Sequence, residues 1–175
     1  MKAGGRCMAR ILPGIAMAFM GACQHKASPA YVEFLAPADP SAWNPLEELV
    51  FSPGLSGGID SVAHTLWLTV RHTDAYPSTD LKLIVEMTRN DVPYPPDTLT
   101  LKLCDSEGRW LGKGTRGVFT ISHPIESPFN GSGKYIVAIR PDSRAPVEGI
   151  SAIGIIVYPE EDGKASTVSI SGNSK

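Results

Sequence analysis

Alternation with a period of two runs through the middle of this chain. Leu66, Leu68 and Val70 alternate with Trp67, Thr69 and Arg71, and Leu81, Leu83, Val85 and Met87 alternate with Lys82, Ile84, Glu86 and Thr88. Leu99, Leu101 and Leu103 alternate with Thr98, Thr100 and Lys102. Tyr135, Val137 and Ile139 form a further run, and Ile153, Ile155 and Val157 form the last. Successive side chains of a strand point to opposite faces, so each run commits one set to a core and the other to solvent or a second layer. Turn formers punctuate the runs: Thr73–Pro77, Asn90–Pro93, Asp105–Gly108, Asn130–Gly133 and Pro141–Asp142. No helical periodicity falls between them, which predicts an all-β fold, an antiparallel β-sandwich of jelly-roll type. The stretch from Gly112 to Gly133 is less regular and reads as a wandering connection.

The ends of the chain read differently. Lys2, Arg6 and Arg10 form a positive start, and Ile11 to Ala22 is a short apolar run ending in Met20-Gly21-Ala22-Cys23. That order is the signature of an export signal, and the run is too short for a stable transmembrane helix. Small residues at the two positions before a cysteine suit a lipoprotein signal peptidase. The expected organisation is a signal peptide over 1–22, a lipid-anchored stalk over 23–45, a β-sandwich domain over 46–159 and a polar tail over 160–175. Four prolines from Gln24 to Pro45 suggest the stalk, although Tyr31 to Leu35 has the composition of a short strand. Met8 is an alternative start that still leaves Arg10 in the positive region.

Two or three acyl chains on Cys23, palmitate among them, would make attachment stable, since each buried methylene contributes ~0.8 kcal/mol and one chain holds only marginally. Cys7 leaves with the signal, so Cys104 alone remains unmodified and no internal disulfide can form. Gln24 rather than Asp follows Cys23, which by analogy favours the outer membrane, facing the periplasm. The 175 residues carry a formal charge of −2, and loss of the three positive signal charges takes this to about −5. A chain without a basic stripe is not a nucleic-acid binder.

Motifs that carry chemistry are weak. Ser56-Gly57-Gly58-Ile59-Asp60-Ser61 matches the SGG-x-DS loop of ATP pyrophosphatases. That loop opens a helix, whereas here an alternating strand follows, so no nucleotide is expected. Gly112-Lys113-Gly114-Thr115-Arg116-Gly117 fails the Walker spacing; a basic, glycine-rich loop also suits an acidic partner or a lipid headgroup, but its glycines read first as positions permitting positive φ. Asp105-x-Glu107-Gly108 starts like a calcium loop but reads as a hairpin turn. His25, His64, His72 and His123 are scattered; His72 with Asp74 is too small a set for a metal, and each reads as an ordinary surface residue, as does Cys104. No serine sits in a nucleophile elbow. The expectation is therefore no catalytic residue, no metal, no cofactor and no enzyme.

Trp67 and Trp110 are ambiguous between packing and recognition. Trp110 stands between Arg109 and Lys113, the composition of an interface anchor. Arg109, Trp110, Lys113 and Arg116 are thus the candidate partner-binding residues.

The linear order of the pieces resembles a known family. A lipobox precedes a strand ending Val70-Arg71, a turn with Tyr76-Pro77, then Leu81-Lys82-Leu83-Ile84-Val85 and Pro96-Asp97-Thr98-Leu99. Asp105-Ser106-Glu107-Gly108-Arg109-Trp110-Leu111-Gly112-Lys113-Gly114 follows and is the most distinctive segment. Phe129, Gly133-Lys134-Tyr135, Gly149-Ile150 and Val157 complete the pattern. From about Tyr31 to Tyr158 the chain resembles the gliding-motility lipoprotein family GldH of Bacteroidetes bacteria. The resemblance implies a non-catalytic envelope lipoprotein tied to gliding and type IX secretion, with other machinery proteins as partners. Only the lipidated cysteine, Cys23, carries over. An alternative is a ligand-binding sandwich that grips a glycan or cell-surface group through aromatics such as Trp67 or Tyr94.

Overall fold

A computed structural model describes residues 28–39, 41–55, 63–125 and 133–159. The signal segment with Cys23 and His25, the Ser56–Ser61 motif and the tail from position 160 lie outside the described residues. So do Phe129 and the Asn130–Ser132 part of one expected turn.

Among the described residues the regular structure is entirely strand, and every pairing is antiparallel. The strands are β1 (Tyr31–Leu35), β2 (Ala42–Trp43), β3 (Leu49–Phe51), β4 (Gly54–Leu55), β5 (His64–Thr73), β6 (Asp80–Arg89) and β7 (Val92–Pro93). They continue as β8 (Asp97–Lys102), β9 (Lys113–Thr115), β10 (Val118–Ile125), β11 (Gly133–Pro141), β12 (Val147–Glu148) and β13 (Ile150–Pro159).

Two sheets form one sandwich. The first has the order β1-β13-β5-β10-β9. The second runs β3-β11-β6, with β4 also on β11, and with β7 and β8 on the far side of β6. A small β2–β12 pair stands apart. The alternation explains the packing. Leu66, Leu68 and Val70 of β5 and Ile153, Ile155 and Val157 of β13 point inward from the first sheet, all fully buried. Leu81, Leu83 and Val85 of β6 and Tyr135, Val137 and Ile139 of β11 meet them from the second, in one continuous core. Burial of a large aliphatic or aromatic side chain contributes about 1.5–3 kcal/mol, so this core, and no disulfide among the described residues, holds the sandwich together.

The turns follow the expected chemistry. Asn90 and Asp91, at φ 49° and 65°, connect β6 to β7, and Arg116 and Gly117, at φ 58° and 77°, connect β9 to β10. Two central residues with positive φ match the twist of a tight hairpin.

Two boundaries are corrected. The folded unit reaches back into the expected stalk: β1 pairs with β13 from Tyr31↔Val157 to Leu35↔Ile153. Trp43 is fully buried, with its Nε1–H donating to the Glu47 carbonyl at 3.1 Å. The prolines of this stretch flank structure rather than replace it. The region expected to wander from Gly112 holds β9 and β10, and β10 pairs with β5 along its whole length, Val118↔Thr73 to Ile125↔Leu66. Inward positions Phe119, Ile121, His123 and Ile125 do alternate, but a histidine in the series and Pro124 in the strand obscured the period.

Candidate functional site

The Asp105–Gly108 segment is the hairpin turn expected from sequence, and it takes Arg109 with it. Asp105 Oδ1 accepts the backbone N–H groups of Glu107 and Arg109, both at 2.9 Å. Arg109 Nε donates to Asp105 Oδ2 at 2.7 Å, and Nη1 lies 3.1 Å from Glu107. These bonds hold the Asp105 carboxyl below its usual range, the Arg109 backbone N–H first and its side chain next. Arg109 therefore spends its charge within its own turn.

Trp110 turns inward. It forms an isolated bridge with Cys104 and packs, half-buried, against the core. Its ring lies 4.7 Å from that of His72 and 5.8 Å from that of Phe119. Of the two readings open for Trp110, its surroundings fit packing: it is one wall of an aromatic cluster that includes Tyr76, whose ring lies 6.2 Å from His72.

His72 is fully buried rather than at the surface. Its Nδ1 lies 3.1 Å from the Thr73 carbonyl. A carbonyl only accepts, so Nδ1 carries the proton and Nε2 offers a lone pair, which finds no partner among the described residues. Burial lowers the His72 pKa against this one favourable bond. His123, on the inward side of β10, is lowered by burial as well. Cys104 is also buried, and desolvation with Asp105 nearby pushes its thiol up, away from nucleophilic use. Tyr76, pushed up to about 12 chiefly by burial, donates its hydroxyl to the Asp80 carbonyl at 2.7 Å. Among the described residues no group of three or more histidine, cysteine or acidic side chains converges as a metal site would require.

Lys113 and Arg116 do stay together, on the exposed β9–β10 hairpin. The loop glycines serve closeness more than positive φ. Gly117 alone of the three has φ in that region, while a Cβ at Gly112 would meet the Thr120 carbonyl at 2.8 Å and one at Gly114 would collide with Val118 and Phe119.

The register then brings in residues that the sequence did not join. Ala152 pairs with Arg71, Arg71 with Thr120, and Thr120 with Lys113, across four strands. Val118 and Thr115 pair in the next row. Arg71, Lys113, Gly114, Thr115, Val118 and Thr120 line an open shelf of about 530 Å³ on the outward face. The Arg71 guanidinium lies over the Phe34 ring, 4.3 Å from its centroid. The outward position of Arg71 was legible in the β5 alternation; its neighbours depend on strand order.

Trp67 also faces outward, half-buried, in a row with Val32, Ile156 and Pro124. Tyr94 packs against the core.

A two-sheet antiparallel sandwich with its polar shelf on one outer face is the class of protein that these observations define. Within that class, the sequence matches the family model described as GldH lipoprotein over residues 38–157, and the chain belongs to the GldH lipoprotein family. Among curated proteins none matches. Solved structures of similar outline include the CBM35 from Cellvibrio japonicus Abf62, at 14% identity over 76% of this chain and 100% of that one, with a TM-score of 0.36. A GH115 4-O-methyl-α-glucuronidase, BtGH115A, is 14% identical over 87% of this chain but 20% of its own, with a TM-score of 0.45. Xyl-CBM35 is 14% identical over 80% of this chain and 96% of its own, at 0.34.

Proposed function

We propose that this chain is a non-catalytic component of the gliding-motility and type IX secretion machinery of the cell envelope. It is held through lipid on Cys23 at the outer membrane and faces the periplasm. The observation that carries the reading is the family match across the sandwich. Membership makes the chain an envelope lipoprotein; the machinery role and the side of the membrane are the proposal. The buried, high-pKa Cys104 and the packed His72 are in keeping with a scaffold rather than a reaction centre.

Cys23 precedes Tyr31 by eight positions. At 3.3–3.6 Å per residue, the tether spans at most about 29 Å. The domain would therefore stay within about one domain diameter of the bilayer, where partners of the same envelope complex would meet it. Of the four candidate contact residues, Lys113 and Arg116 are the exposed cations without an ion-pair partner among the described residues. Partner contact falls to them, and Arg109 and Trp110 serve the turn and the cluster.

The test is crosslinking in the native host, followed by purification through a C-terminal tag and mass spectrometry. Recovery of other gliding or type IX secretion components, reduced by Lys113→Glu with Arg116→Glu, supports the reading. A properly lipidated and abundant protein that brings none of them refutes it. Cys23→Ser in the same strain should release the chain from the membrane fraction; retention there would remove the anchor from the proposal.

A further inference from the structure

The shelf shares Lys113 with the partner-contact pair, but Arg71, Thr115 and Thr120 have no part in that reading, and their surroundings are specific. Phe34 lies across Gly154, where any Cβ would collide with the ring. The Arg71 guanidinium stacks on that ring. A guanidinium held by its face keeps the N–H groups on its edges free, and that edge is a planar fork matched to a carboxylate. A β-bulge lies beside it, between Ile150 and Ala152 of β13, and Ser151 Oγ donates to the Arg71 carbonyl at 3.1 Å. Bulges re-aim side chains next to binding sites.

On the other side of β5 from Phe34, along β10 and β9, Lys113 and the hydroxyls of Thr115 and Thr120 line the shelf with Arg71. Among the described residues, neither Arg71 nor Lys113 has a carboxylate within ion-pair distance. Asp74, in the adjoining turn, sits against Gly117. In a chain of net charge −2 this is a local excess of positive charge with no internal counterpart.

We infer that the Arg71–Lys113–Thr115–Thr120 shelf is a binding site for an acidic saccharide, with Arg71 and Lys113 taking a sugar carboxylate and the two threonines its hydroxyls. Charge complementarity calls for an anion, and the hydroxyls select among anions. A threonine hydroxyl both donates and accepts, as a sugar hydroxyl does, whereas a phosphate or a bare carboxylate only accepts.

The shelf lies at the far end of the sheet from the point where the anchored segment enters. The tether enters at Tyr31, in the row Tyr31–Val157–Leu66–Ile125, and Arg71 lies five residues along β5 from Leu66. That is roughly 17 Å at strand rise, at the end of the sheet away from the anchor. The inference goes beyond the machinery role and does not depend on it.

The experiment is calorimetric titration of the full chain, purified in a zwitterionic detergent, with galacturonate oligosaccharides. Neutral galactose oligomers, poly-glutamate and phosphatidylglycerol vesicles serve as comparators. The expected result is saturable binding of the acidic oligosaccharide. Arg71→Gln should weaken it about tenfold or more, the scale of a lost charge-assisted hydrogen bond. Lys113→Gln, on an exposed edge strand, should weaken it several-fold with Tm unchanged, which keeps the test valid if Arg71→Gln fails to fold. Thr120→Val should weaken oligosaccharide binding and leave Arg109→Gln as the silent control. Absence of saturable binding, an equal loss in Arg109→Gln, or equal or tighter binding of poly-glutamate or vesicles would overturn the inference.

Discussion

Phe34 lies across Gly154 on the outer face of the first sheet, and the two are register partners of β1 and β13. The aromatic ring fills the place of the side chain that the glycine lacks, a device that offsets the weakness of glycine in a strand. Its consequence extends one residue further, because the ring carries the Arg71 guanidinium, 4.3 Å away. Gly154 is thus part of the shelf without touching it.

Gly154→Ala should test this chain of contacts. The new methyl has no room against Phe34, so the ring must lift or β1 must shift. Overpacking of this kind costs about 1–3 kcal/mol, read as a lower midpoint in urea with an unchanged slope. Phe34→Leu in the same background should restore most of the loss, because the smaller side chain vacates the space. A Gly154→Ala protein as stable as the parent would show that β1 packs elsewhere.

Sequence reading found the buried faces of β5, β6, β8, β11 and β13, since aliphatic residues fill every second position there. It failed where the inward set is mixed. In β10, His123 occupies an inward place between Ile121 and Ile125. The same limit applies to the site. Arg71 and Lys113 are 42 positions apart and are brought together by Thr120 between them in the sheet. Nothing in the period of any single strand encodes which strands become neighbours. Trp110 stayed ambiguous for a related reason: its sequence neighbours Arg109 and Lys113 are charged, yet its spatial neighbours are His72 and Phe119.

Trp110 and Arg109 should separate cleanly on mutation. Trp110→Ala removes a wall of the aromatic cluster, and truncating a half-buried aromatic of this kind costs about 2–3 kcal/mol. Arg109→Ala breaks two exposed ion pairs and should cost under about 1 kcal/mol. Chemical denaturation of both variants measures the difference. If Arg109→Ala proves the more damaging, the turn and not the cluster organises this end of the sandwich.

The cluster also predicts how stability follows pH. His72 and His123 both have folded-state pKa values lowered by burial, against about 6.5 in an unfolded chain. Above that value both states are neutral and the native packing is undisturbed. As pH falls below it, the unfolded chain binds protons first, so unfolding becomes easier by at most about 1.4 kcal/mol per pH unit for each group. The loss continues until the pH passes the folded-state pKa, where the slope vanishes. Asp39 and Asp105 are also lowered, Asp39 chiefly by its bond from Ser41. Their contribution has the same sign but falls near pH 4 and below, a separate window. Thermal unfolding at pH 7.5, 6.0 and 5.0 should therefore show a falling Tm in the parent. The decline should be much shallower in His72→Phe with His123→Phe, which keep aromatic bulk and cannot take a proton. A parent Tm that stays level from pH 7.5 to 5.0, or a double variant that falls just as steeply, would place the acid sensitivity outside these two imidazoles.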